Sequence, residues 1–262
     1  MYITNNKNGE TLPNPGVEYI QWPESYPIDC EAFMKDNSGK YVKYLWDPNS
    51  YINIMVYNFT TEPNSNSVTL GISHIPFSTT GKHYLEGLGE TDYSHLTLAN
   101  LQFPLSVSIN SLYINEESTP TEYSTADIAV TLAHELGHYL GLHHVFAETD
   151  NGTCEDTDYC KDTKSYNKQE YDSKCDYIYE NEREKYTFKN LVKRTGCDGI
   201  EFISYNIMDY AISYSNQFTQ NQRERIRHVL SYSPLIPGPK KGDIDTRALN
   251  EGPLDLPIRT IK

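Results

Sequence analysis

His134-Glu-Leu-Gly-His-Tyr-Leu-Gly-Leu-His-His144 is the stretch on which the reading of this chain turns. His134 and His138 are four residues apart, so on an α-helix both imidazoles project from one face, one turn apart. That separation suits two ligands of a tetrahedral zinc ion. The run leading in has helical period: Ile128, Leu132, Leu136 and Leu140 recur on one face. Ser124 is a candidate N-cap, with Asp127 three residues on. Gly141 ends the helix as a C′ glycine would, and lets the backbone turn so that His144 reaches the same ion. Three neutral imidazoles leave zinc a net positive charge and one open position for water. Glu135 falls beside that position rather than among the ligands. Zinc lowers the pKa of the water towards about 7, and Glu135 can accept its proton and pass it to a leaving amine. Five fixed positions match by chance on the order of once in a hundred thousand chains of this size, so the string is read as a zinc site. His143 sits one residue off the required spacing and is expected to face solvent or support a ligand. His74, His83, His95 and His228 are scattered and are expected to be structural or exposed.

The rest of the composition narrows the field. At 262 residues, 37% hydrophobic and 12% aromatic, the chain can bury a core and is too apolar for a disordered segment. Tyrosine outnumbers phenylalanine 22 to 8, which suits a loop-rich protein whose aromatics keep one end polar. A formal charge of -14 argues against nucleic acid and against an anionic membrane surface. No apolar run approaches a membrane span. Cys30, Cys154, Cys160, Cys175 and Cys197 form no C-x-x-C pair. Four of them crowd the stretch after the histidines, which predicts two disulfides stapling an irregular segment in an oxidising compartment. Export needs an address, and Met1 is followed by polar residues. The expectation is therefore that a signal segment has been removed.

Along the chain, residues 1–48 read as an irregular lead-in. Residues 51–60 (YINIMVYNFT) alternate and predict a strand. Residues 68–76 (VTLGISHIP), beyond the turn-forming 62–67, predict a second, and 105–114 (LSVSINSLYI) contain a third. Residues 147–200 are acidic, Cys-rich and weakly periodic, and are expected to lack regular structure. A last helix is expected from Thr219, with Gln222 at the capping-box position, until Pro234 stops it. The tail from Pro237 is expected to run extended over the surface. Three units follow: the lead-in 1–48, a unit 49–144 carrying the active-site helix, and 145–262.

Ser204-Tyr-Asn-Ile-Met-Asp-Tyr210 lies downstream. With the extended histidine pattern it resembles the metzincins, in which a methionine turn underlies the zinc. By that resemblance Met208 is the hydrophobic floor. Tyr210 would donate a hydrogen bond to the oxyanion developing on the scissile carbonyl. Within the metzincins the sequence is most similar to the pappalysin family, on AHELGHYLGLHHVF (133–146), DYCKDT (158–163) and NIMDY (206–210). It is also similar to bacterial zinc-metalloproteinase lipoproteins of that group. The match is firm over 125–231, looser over the strands from Tyr51, and absent before Asn49. Where relatives commonly carry Thr-Phe after the third histidine, this chain has Val145-Phe146.

The resemblance implies an α+β zincin: a twisted mixed sheet, a backing helix, the active-site helix, and an irregular C-terminal subdomain. Residues 68–76 would be the edge strand to which a peptide adds as an extra antiparallel strand. It implies an exported, monomeric zinc endopeptidase acting on protein or peptide, secreted or lipid-anchored in its precursor. Calcium in the insert, near Glu148, Asp150, Asp156, Asp158 and Asp162, is a further implication, although no EF-hand loop pattern is present. Two other functions stay open: a silent binding module on a zincin scaffold, and a zinc hydrolase of small amides. Loss of a ligand or of the base would mark the first, and a closed pocket the second.

Overall fold

A computed structural model describes residues 4–61, 68–91, 97–148, 152–241 and 258–261. The predicted turn at 62–67, His95 and Asp150 lie outside the described residues. The three predicted strands form as β1 (Ile54–Tyr57), β2 (Gly71–His74) and β3 (Val107–Asn110). β1 pairs with β3 in parallel and β2 with β3 antiparallel. The predicted mixed sheet is therefore present. Its fourth strand comes from the tail: β6 (Ile258–Ile261) pairs antiparallel with β2, giving the order β1-β3-β2-β6. The tail thus enters the sheet instead of only covering the surface, and β2 carries a neighbour on each side.

Side-chain alternation assigns the two faces of the sheet. Val107 and Ile109 face helix α2 (Ile128–Tyr139), where Leu132, Leu136 and Leu140 complete the packing. Fully buried aliphatic side chains such as Val107 and Ile109 contribute roughly 1.5–3 kcal/mol each. On the other face the hydroxyls of Ser106 and Ser108 reach the sulfur of Met34 at 3.5 and 3.2 Å. Met34 belongs to α1 (Cys30–Met34), a short helix capped by Asp29, whose Oδ1 accepts from Ala32 N at 2.9 Å. Phe33 and Met34 pack with Tyr57, Phe59 and Ile72. This five-residue helix within the lead-in occupies the backing position.

Two expectations beyond the histidines need correction. Residues 147–200 are not devoid of regular structure, for they hold helix α3 (Lys168–Asn181) and helix α4 (Phe188–Leu191). They also hold β4 (Lys193–Thr195), which pairs with β5 (Glu201–Ile203). The N-cap Asn167 accepts from Glu170 N at 3.2 Å. Only Tyr171 and Ile178 of α3 are buried, seven residues apart on one face, so the apolar stripe is too thin to stand out in so polar a run. The cysteines form one bridge rather than two: Cys154–Cys197 spans 43 residues with Cα atoms 5.4 Å apart, while Cys30, Cys160 and Cys175 are free thiols. Helix α5 (Gln220–Tyr232) has the predicted Thr219–Gln222 capping box.

His74 of β2 is 1% exposed, with Nδ1 3.1 Å from the Ser106 carbonyl and its ring against Phe103. Burial pushes its pKa down to about 4. An unfolded chain titrates this group near 6.5, so below that pH the unfolded state binds a proton that the native state refuses. The stabilisation is therefore complete above pH 6.5 and is lost as pH falls towards 4, amounting to roughly 3 kcal/mol. In urea titrations at pH 7 and pH 4.5, His74→Gln is expected to lose less stability on acidification than wild type. Parallel losses would contradict this assignment.

Candidate metal centre and catalytic site

Helix α2 begins at Ile128 rather than near Ser124. Asp127 is the N-cap, its Oδ1 accepting from Ala129 N at 2.9 Å and Val130 N at 3.2 Å, with its carboxylate well placed at the helix N-terminus. The helix ends as the glycine requires. Gly141 has φ +89°, its N–H bonds the His138 carbonyl (2.9 Å), and Leu142 N bonds the Gly137 carbonyl (2.9 Å). That pair is a Schellman closure, and it reverses the chain so that His144 turns back towards the helix.

The three histidine side chains converge. Nε2 of His138 lies 3.0 Å from Nε2 of His134 and 3.2 Å from that of His144, and the remaining pair is 3.2 Å apart. The other ring nitrogens point outward to acceptors. Nδ1 of His134 donates to the Ile207 carbonyl (2.7 Å), Nδ1 of His138 to the Leu142 carbonyl (2.9 Å), and Nδ1 of His144 to Glu148 Oε1. With Nδ1 carrying the hydrogen, each Nε2 presents a lone pair inward, where the three would repel one another without a cation. Burial reinforces this by holding all three pKa values down, to about 4 for His134 and well below the ordinary value for His138 and His144. A tetrahedral ion with bonds of about 2.0–2.1 Å keeps its ligand atoms about 3.3–3.4 Å apart, close to the spacing here. The residues present therefore fit zinc. Outward carbonyl and carboxylate partners are also what fixes a ligating imidazole's tautomer. Among the described residues this is the one group of three or more His, Cys, Asp or Glu side chains able to share an ion. Calcium accordingly finds no support: Glu148 is engaged by His144, and Asp158 Oδ1 accepts from Cys160 N at 2.9 Å.

Glu135 is buried between α2 and β2. A Cβ on Gly71 would come within 2.5 Å of its Cγ and 2.8 Å of Oε1, so only glycine at 71 leaves that carboxylate its place. Met208 is fully buried, its sulfur against Gly137, where a Cβ would come within 2.5 Å. Its carbonyl accepts from Val145 N at 3.2 Å, which ties the turn to the third-histidine loop. The Tyr210 ring packs edge-on to His144, centroids 4.7 Å apart. His143 stays outside the metal cluster and is buried rather than solvent-facing, with Nε2 3.0 Å from the Gly87 carbonyl. His83 and His228 lie side by side, ring centroids 6.3 Å apart.

Two residues were not legible as part of this site. Glu148 stood out only as one acid among many, yet it orients His144. Arg194, fully buried, pairs with Asp209 at 3.3 Å beneath the methionine turn. No local pattern marks an arginine in a three-residue strand. Beside His144 and Tyr210 opens a cavity of ≈ 570 Å³, bordered also by Phe146, Lys168 and Arg259.

The family model described as Pregnancy-associated plasma protein-A, peptidase family M43, matches residues 35–231, three-quarters of the chain. The chain belongs to this family, the pappalysins. The match covers both the histidine string and the methionine turn, and extends back through the strands to the end of α1's neighbourhood. Among curated relatives, this pappalysin is 37% identical over 97 residues to an extracellular metalloprotease of Arthroderma benhamiae, and 38% identical over 97 residues to one of Arthroderma otae. Each match covers 37% of this chain and only 29% of the relative. Among solved structures, mature mirolysin of Tannerella forsythia in complex with a cleaved peptide aligns with 86% of this chain and 67% of its own, at TM-score 0.45 and 19% identity. A second mirolysin complex aligns with 87% and 68%, at TM-score 0.49 and 20% identity.

Proposed function

We propose that this pappalysin is an exported zinc-dependent endopeptidase. The observation that carries the reading is the convergence of three inward-facing Nε2 lone pairs from His134, His138 and His144. These three residues would hold the ion, each fixed by its outward hydrogen bond. When bound, zinc supplies a Lewis acid for the scissile carbonyl and acidifies water. Glu135 takes the proton of the attacking water on its carboxylate and delivers it to the leaving amine nitrogen. Tyr210 donates its phenolic hydrogen to the developing oxyanion. Met208 gives the site a packed floor. The cleft is read as lying between units 49–144 and 145–262, with Glu31 and Lys35 of the lead-in also lining it.

The substrate class is extended protein or peptide, because the side of β2 turned away from β3, beside the site, accepts an antiparallel strand, as its pairing with β6 shows. Export agrees with the Cys154–Cys197 disulfide and with the extracellular relatives. Whether the product is secreted or lipid-anchored does not alter the chemistry. Digestion of a peptide library by the zinc-loaded and the chelator-treated protein tests the reading. Internal cleavage is expected with zinc, is expected to vanish on chelation, and is expected to return on adding zinc back. Cleavage that survives removal of the metal would refute it.

A further inference from the structure

The outer edge of β2 is already taken. Gly71, Ile72, Ser73 and His74 stand opposite Ile261, Thr260, Arg259 and Ile258 in antiparallel register. The other edge of β2 belongs to β3, so β6 lies on the one side where a further strand can join. Gly71 is the residue whose missing side chain accommodates Glu135, which puts the paired stretch directly over the catalytic helix. The segment has a side-chain anchor as well. Arg259 Nε binds Glu148 Oε2 at 3.1 Å, while the other oxygen of that carboxylate holds Nδ1 of His144. Ile258 packs with the cluster around Tyr57 and Ile72 and, with Arg259, borders the cavity beside His144 and Tyr210. Backbone pairing, an apolar contact and an ion pair thus converge on four residues of the chain's own tail.

We propose that segment 258–261 is an intramolecular occupant of the peptide-docking edge of β2, and that an incoming peptide must displace it to reach the catalytic site. This rests on the reading of β2 as the peptide edge given above. The occupant is tied to its site through residues 242–257, and a tethered strand competes at an effective concentration on the order of millimolar. A free peptide making similar contacts therefore competes poorly with it. The effect falls on binding, so KM rises while the chemistry at Glu135 is untouched.

Full-length Ile258→Asp/Arg259→Glu tests this by placing one carboxylate in the apolar contact and another against Glu148. A labelled synthetic peptide of sequence LPIRTIK, residues 256–262, is titrated by fluorescence anisotropy into zinc-loaded protein carrying Glu135→Gln to stop turnover. The doubly substituted chain is expected to bind it at least tenfold more tightly than the chain with its natural tail. Amide exchange across Gly71–His74 is expected to accelerate in the same variant. With Glu135 restored, KM for an unstructured peptide is expected to fall by a similar factor. A second variant ending at Pro257, checked for native circular dichroism, reports the same quantities without new charges. Equal peptide affinity and equal exchange in all forms would overturn the proposal. Altered affinity and exchange in a protein that cleaves nothing would leave the occupant in place and sink the peptidase reading instead.

Discussion

Glu135→Gln is expected to lower kcat by about 10²–10⁴-fold, the usual worth of a positioned general base, with zinc content and KM little changed. The substitution keeps the shape of a side chain wedged against Gly71, where not even one extra methyl group fits. It leaves the three imidazoles and their outward hydrogen bonds alone, since none of those bonds ends on residue 135. What it removes is the capacity to accept a proton, because an amide oxygen is far less basic than a carboxylate. A loss confined to kcat identifies an interaction made only in the transition state. Steady-state kinetics on a cleaved peptide, with metal analysis of the same sample, checks both halves. A kcat within threefold of wild type at full zinc occupancy would remove Glu135 from the mechanism.

What could be read from the sequence divides along one physical line. The histidine helix was legible because helix period, a glycine stop and ligand spacing are all local properties, and all three point to one geometry. The cap alone was misplaced: Ser124 and Asp127 both cap helices, and choosing between them depends on where the strand-to-helix connection delivers the chain. Strands β1, β2 and β3 announced themselves by alternation. β6 did not, because its four residues gain their partner from β2, nearly two hundred positions away. Helix α3 was hidden by its own solubility, with two buried side chains in fourteen residues. The cysteine pairing needed coordinates, as connectivity always does. Glu148 and Arg194 belong to the same class. Their roles exist only once the third-histidine loop and the methionine turn have come together, and a charged residue carries no mark of the partner it will meet.

Arg194→Met is expected to destabilise the fold by about 3–5 kcal/mol, a fall in Tm of roughly 6–20 °C for a chain of this size. Arg194 and Asp209 are both fully excluded from water, with Nη2 3.3 Å from Oδ2. The guanidinium also donates to the Leu191 carbonyl at 2.7 Å and the Ile212 carbonyl at 2.9 Å, and lies 3.7 Å from the centre of the Tyr171 ring. Asp209 accepts from the Tyr166 hydroxyl at 2.6 Å, from Tyr210 N at 2.8 Å, and from the Ser204 hydroxyl. Methionine fills much of the volume but leaves a buried carboxylate without its cation, and that uncompensated charge dominates the cost. Packing loss and charge loss can be separated. Arg194→Met/Asp209→Asn removes both charges, so it is expected to recover a large part of the stability that the single variant loses. If the double variant is as unstable as the sum of the two single ones, the ion pair is not what matters. Because Asp209 stands between Met208 and Tyr210, the single variant is also expected to lower kcat at temperatures where it remains folded. The pair holds the turn, and the turn carries Met208, packed against Gly137 of the histidine helix, and the Tyr210 ring beside His144.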